Sequence, residues 1–290
     1  MPSLRDLTEL VRAPAALSVP GDVVAGAAAA DALDRRVPGL AGASVLLYWA
    51  GMAANDLADR KLDARERPER PIPSGRVSPG LALGVSAGFT AAGIGLAGLA
   101  GGRRALAVAV PLAGTIWAYD LWAKNTAAGP AVMATCRGLD VLLGASRGRV
   151  VRALPAALTV AAHTYTVTEL SRREVSGATR ALPAATLAGT AAVAAAAITR
   201  SRPAVPARRW RNLVPAALAG WYGLQYGTAQ ARVAADPQAD RVRAAVGAGI
   251  TGLPALQGAL VARTGAALLG VAVAAAAPIG RRLARLVSPT

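Results

Sequence analysis

Apolar stretches of about 17–22 residues recur along the whole chain, separated by short Arg-bearing segments. Each is as long as one bilayer crossing, because a helix rises about 1.5 Å per residue and the hydrocarbon core is about 30 Å thick. Inside lipid every backbone N–H and C=O must find a partner within the protein, so such runs can only be helices. The expectation is an all-α polytopic membrane protein in one domain, residues 1–290, with no separate soluble module. Spans are predicted at 14–32, 39–56, 79–100, 104–122, 127–145, 152–170, 181–199, 211–231 and 241–262. A further stretch, 264–280, is a tenth span or a re-entrant or surface helix.

Charge agrees with this. The net charge of +16 would suggest nucleic acid in a soluble protein, but only 17% of the residues are charged and 54% are hydrophobic. The Arg residues sit at the ends of apolar runs, which is topology and head-group chemistry; nucleic acid is not an expected partner, and the bilayer is. A cytoplasmic N-terminus puts the larger share of cations inside, counting Arg200, Arg202 and Arg208 among the outer ones. Loops 57–78, 123–126 and 171–180 then share one face, whichever it is. Composition suggests a bacterial plasma membrane.

The acidic residues are concentrated. Of 16 in the chain, five fall between Asp56 and Glu69. Asp56, Asp59 and Asp63 are spaced i, i+3, i+7, which puts them and Asn55 on one helical face. Three clustered carboxylates repel one another unless cations lie among them. Oxygen ligands without His or Cys suit Mg²⁺, which commonly binds through one or two carboxylates plus substrate phosphates. A solvated acidic loop is the plain alternative. Inside the apolar segments Asp22, Arg137, Asp140 and Glu169 are charged, each costly to bury and so each of functional interest. Arg137 and Asp140 are i, i+3 and are also placed to satisfy each other. His163 and Cys136 read as packed core residues. Trp49, Trp117, Trp122, Trp221 and Tyr226 are cavity aromatics or interface anchors.

Asn55-Asp56-x-x-Asp59-x-x-x-Asp63, the loop Arg70-Pro71-Ile72-Pro73-Ser74-Gly75-Arg76-Val77-Ser78, and Tyr119 with Lys124 five residues on together resemble the UbiA superfamily of intramembrane prenyltransferases. The resemblance implies about nine transmembrane helices in a ring around a central cavity. It also implies Mg²⁺ as cofactor and an isoprenyl diphosphate as donor. By that likeness Asp56, Asp59 and Asp63 hold metal and Asn55 assists. Lys124 and Arg70 face phosphate oxygens, Tyr119 orients a phosphate or acceptor, and Asp56, Asp59, Lys124 and Tyr119 form the catalytic set. The acceptor is an unidentified small molecule.

The chain departs from the family where a second aspartate-rich motif is expected, in the segment Thr166 to Gly177. There the acidic positions hold Thr166, Glu169 and Arg173, with Glu174 one place off. Either Glu169 and Glu174 bind a second Mg²⁺, or Arg173 replaces it as a diphosphate clamp, or that half of the site is lost. Arg137-Gly-Leu-Asp140 and Gly21-Asp22 resemble the EboC-type branch, with Arg137 a further substrate-binding residue. Beside prenyl transfer stand two other readings: a terpene cyclase of the same family, and a non-catalytic protein that binds or moves a prenylated metabolite.

Overall fold

The computed structural model describes residues 2–199 and 209–276, and these contain helices and no strand. Arg200, Arg202 and Arg208, and the end of the 264–280 stretch, lie outside the described residues. The elements are α1 (Leu4–Leu10), a 3-10 turn (Ala13–Ser18), α2 (Pro20–Ala29), α3 (Val37–Glu66), α4 (Pro79–Ala118), α5 (Gly129–Ala145), α6 (Val150–Ser171), α7 (Ala181–Ile198), α8 (Arg209–Ala235), α9 (Ala239–Ala262) and α10 (Ala267–Ala274). Each helix from α2 to α9 packs on the next, and α9 returns to α2, closing a ring.

Among the described residues four helical stretches are long and apolar enough to cross a bilayer: Val37–Glu66, Pro79–Ala123, Ala181–Ile198 and Ala239–Ala262. One of the predicted spans takes a different form. The first, 14–32, is a 3-10 turn followed by the ten-residue α2, because Pro14 and Pro20 interrupt the hydrogen-bond ladder. Spans 79–100 and 104–122 are the two helical arms of α4, separated by a reversal at Gly102, whose φ of 66° only glycine adopts without strain. The two arms fold back on each other, since Trp117 Nε1 donates to Thr90 Oγ1 at 3.1 Å. As described, α10 has eight residues, too few to cross a bilayer by themselves.

Small residues set how closely the helices approach. A Cβ on Gly26 of α2 would lie 1.8 Å from the Val141 carbonyl oxygen of α5, and one on Gly144 would lie 1.9 Å from the Val23 carbonyl oxygen. The two backbones therefore touch through a glycine from each helix. Gly26→Ala is expected to lower stability by at least about 2 kcal/mol, because relief requires backbone movement; thermal unfolding in detergent checks it.

Contacts of α2 with α5 and α6 divide the ring interior. The half built by α6, α8 and α9 is filled. There His163 is a core residue, its Nδ1 2.8 Å from the Tyr222 hydroxyl and its ring edge-on to Tyr222 and Tyr226. The other half holds a cavity.

Candidate functional site

The cavity has a volume of about 120 Å³ and is lined by residues between Val19 and Asp140. Its walls are apolar, with Leu47 and Met52 of α3, Leu112 and Ile116 of α4, and Met133 and Cys136 of α5. At one end stand Gly51, Tyr119 and Asp120, next to the acidic face of α3. At the other stand Ser44, Arg137 and Asp140. The cavity aromatics are Tyr48 and Tyr119. None of the five aromatics expected from sequence lines it. Trp49 packs on Phe89, Trp117 bonds Thr90, Tyr226 lies against His163, and Trp122 and Trp221 are exposed.

The acidic face forms as the helical spacing requires, because α3 runs unbroken to Glu66. Asp56 and Asp63 are buried. Asp56 Oδ1 accepts from Arg12 Nη2 at 2.8 Å and from Arg70 Nη1 at 3.4 Å. Arg70 Nη1 also donates to Asp63 Oδ2 at 2.7 Å, so one guanidinium bridges two carboxylates a turn or two apart. Asp59 Oδ1 lies 2.6 Å from Lys124 Nζ, an ion pair off the line of a hydrogen bond. Asn55 Nδ2 donates to Asp120 Oδ1 at 3.2 Å. Asn55, Asp56, Asp59, Asp63, Arg70, Tyr119 and Lys124 are thus brought together.

Sequence reasoning missed two residues here. Asp120 is buried in the π-helical turn Tyr119–Ala123 that ends α4. Such a turn rotates the following side chains relative to an α-helix and recurs at functional sites. Asp120 lies within the predicted 104–122 span, and the rule for ionisable residues in apolar segments would have found it. Arg12 caps the 3-10 turn with φ of 47°, and this left-handed backbone aims the chain back toward Asp56. No sequence signal marked it.

The second segment is placed otherwise. Arg172, rather than Arg173, reaches across, donating from Nη1 to the Thr126 carbonyl. That contact and the Asp59–Lys124 pair put loops 57–78, 123–126 and 171–180 on one face, as span parity required. Arg173 is exposed, and its side chain makes no hydrogen bond or ion pair among the described residues. Glu169 is half-buried on α6 and does not line the cavity. Glu174 is held by Arg243, which donates to its carbonyl at 2.9 Å. Partial burial pushes its carboxyl up from the ordinary value, against the opposing pull of Arg243 and Arg67. Arg137 and Asp140 do not pair with each other. The packing of α5 on α2 gives Arg137 Nε a partner in Asp22 Oδ2 at 2.9 Å, and leaves Asp140 to Ser44.

The donor set fits Mg²⁺. Asp56, Asp59, Asp63 and Asp120 offer hard oxygens from two elements, with no imidazole among them. Asp120 is hydrogen-bonded by a neutral amide and not by a cation. Among the described residues no three carboxylates or other ligands form a ready cage; Mg²⁺ commonly takes one or two carboxylates together with water and phosphate.

A short N-terminal helix closes the neighbourhood. Leu10 of α1 is buried with Ala53, Ile72 and Val77. Arg76 binds Asp6 at 2.6 Å and Glu9 at 2.8 Å. Hydrogen bonds from Ser3 and then Arg76 hold Asp6 at about 2, below the ordinary 3.8. A lowered folded pKa means the contact contributes fully above the unfolded value and is lost as pH falls through the folded one. Docking of α1 is expected to hold at pH 5 and to weaken between about pH 4 and pH 2. Arg76→Ala should show the same release at neutral pH; limited proteolysis of the N-terminus reads both.

The UbiA prenyltransferase family model matches residues 18–171, just over half of the chain. The chain belongs to the UbiA prenyltransferase family. It is 51% identical over 57 residues to the digeranylgeranylglyceryl phosphate synthase of Methanothrix thermoacetophila, covering 20% of this chain and 21% of that one. Across the first curated relatives the matched segments span between 21% and 53% of the relatives' length. A solved digeranylgeranylglyceryl phosphate synthase has the same fold, with TM-score 0.66 and 15% identity over 90% of this chain and 98% of that one. So does a UbiA homologue from Archaeoglobus fulgidus bound to DMAPP and Mg²⁺, with TM-score 0.56 and 16% identity over 93% and 99%.

Proposed function

We propose that this protein is a Mg²⁺-dependent intramembrane prenyltransferase, which ionises an isoprenyl diphosphate and passes the prenyl group to a small acceptor. The observation that carries this reading is the convergence of four carboxylates and three cations at the mouth of an apolar cavity. Asp56 and Asp59 would hold the metal, with Asn55 assisting and Asp63 and Asp120 alongside. Mg²⁺, when bound, neutralises the departing diphosphate. Arg12, Arg70 and Lys124 stand ready for phosphate oxygens, because each is already within ion-pair distance of a carboxylate that would hold metal. Tyr119, at the edge of the cavity, offers a hydroxyl to phosphate or acceptor. The apolar walls exclude water from an allylic cation.

Arg173 is our choice for the diphosphate clamp in the altered second segment. Glu174 already faces Arg243 and Arg67, and this weakens the case for a second metal at Glu169 and Glu174. The family, and the A. fulgidus homologue bound to DMAPP and Mg²⁺, support the donor class. We place the mouth on the cytoplasmic side of a bacterial plasma membrane, from the cations in the loops that meet there.

The test is diphosphate release by purified protein in nanodiscs from geranyl, farnesyl and geranylgeranyl diphosphates, with and without Mg²⁺. Metal-dependent release supports the reading, and products formed with an acceptor panel separate transfer from cyclisation. Binding of a prenyl lipid without release from any donor replaces it with the carrier reading.

A further inference from the structure

The residues Gly21-Asp22 and Arg137–Asp140 take no part in the acidic mouth. Arg137 and Asp140 line the opposite end of the same cavity, and Asp22 pairs with Arg137 from behind it. Ser44 lies 11 residues before Asn55 on α3, about 16 Å along the helix. We propose that this floor seats the polar group of the acceptor, and that it takes a small neutral or cationic molecule bearing a hydroxyl or amine while refusing a carboxylate or phosphate. The proposal rests on reading the mouth as the donor site.

Hydrogen-bond capacity gives the first argument. Asp140 is 4% exposed and lines the cavity. Both its oxygens lie on the single Ser44 hydroxyl, at 2.6 and 2.7 Å. A carboxylate offers about four lone-pair sites, and one hydroxyl has one proton to give. Acceptor capacity therefore remains in a buried place, where leaving it unused is costly. A ligand that donates a hydrogen bond fills it.

Charge gives the second. Asp22 is fully buried. It holds Arg137 through Oδ2, and Gln257 Nε2 donates to its Oδ1 at 2.6 Å and to the Ser18 carbonyl at 2.8 Å. Gly21 leaves the room this needs, since a Cβ there would lie 2.1 Å from Gln257 Oε1. Arg137 Nη2 turns to the Ser18 carbonyl at 3.5 Å. The floor thus has one guanidinium, already engaged, against two carboxyl groups. The two carboxyl groups outnumber the one guanidinium, so an anionic ligand would enter a site whose formal charge is already negative, and burying it there is strongly disfavoured.

Size gives the third. A cavity of about 120 Å³ with Leu47, Leu112, Ile116 and Met133 between its polar ends suits about one ring; an engineered apolar cavity of about 150 Å³ takes benzene.

The experiment uses three para-substituted toluenes of similar size, 4-methylphenol, 4-methylbenzylamine and 4-methylbenzoate. Each is titrated by calorimetry into the full-length protein in nanodiscs, against empty nanodiscs. The phenol and the amine are expected to bind at least about tenfold tighter than the benzoate. Asp140→Asn, or Asp140→Ser if the first does not fold, should bring that ratio close to one. Asp56→Ala should leave it unchanged. Benzoate binding as tightly as the phenol, a ratio indifferent to Asp140, or no binding of any probe overturns the proposal. Diphosphate release by the same preparation separates the two readings. Release without the preference overturns the floor alone. The preference without release overturns prenyl transfer and leaves a small-molecule site standing.

Discussion

Asp56→Ala is expected to reduce diphosphate release at least about a hundredfold, the scale seen when one element of a preorganised electrostatic site is removed. The loss should fall on kcat. In the structure Asp56 accepts from both Arg12 and Arg70. Removing the carboxylate frees Arg12 toward the donor, while Arg70 keeps its 2.7 Å bond to Asp63, so diphosphate affinity should hold or rise while turnover collapses. Asp59→Ala should behave likewise, with Lys124 released. Arg70→Met predicts the opposite split: weaker donor binding and a smaller loss of kcat, because this side chain would contact phosphate and not metal. Asp63→Ala should have the mildest effect, since among the described residues its side chain bonds Arg70 alone. Steady-state kinetics with a single donor at varied Mg²⁺ distinguishes these patterns. Equal losses in kcat and affinity across all four variants would argue for collapse of the mouth instead of separate roles.

The largest effect on stability is expected at Arg137→Met. The change leaves the fully buried Asp22 without its cation, and breaking such a pair by removing one partner costs about 3–5 kcal/mol. Asp22→Asn combined with Arg137→Met should recover most of that loss, because the uncompensated charge goes with it and Gln257 can still bond the amide. Thermal unfolding in detergent of the two single variants and the double variant completes the cycle. If Arg137→Met instead unfolds like the native protein and loses donor affinity, Arg137 is a direct substrate ligand, the role its sequence resemblance implied.

Much of the mouth was legible because it is local. An i, i+3, i+7 spacing fixes a shared face on any helix, so Asn55, Asp56, Asp59 and Asp63 were assigned without knowing what lies opposite. Lys124 and Arg70 followed from motifs within the same half of the chain. Asp120 was open to the rule for charges in apolar segments, but its approach to Asn55 depends on a π turn that no periodicity announces. Arg12 was hidden by a backbone reversal at its own residue. The second segment was less legible for another reason. Matching Arg173 to a family position says where a residue falls along the chain, and it is the neighbouring Arg172 that crosses to the Thr126 loop.

The sequence by itself determined the solvent and the class. Apolar runs of bilayer length admit only helices, since lipid cannot satisfy a backbone. The acidic face was likewise fixed, since helical spacing is a property of consecutive residues. Which buried charges meet was decided only by tertiary structure. Arg137 and Asp140 are close enough in sequence to pair, yet Arg137 pairs with Asp22, 115 residues away, and Asp140 with Ser44, 96 residues away. The physical reason is the crossing of α2 and α5 at Gly26 and Gly144. Where glycine lets two backbones touch, it brings Asp22 to Arg137 and sets the two ends of the cavity.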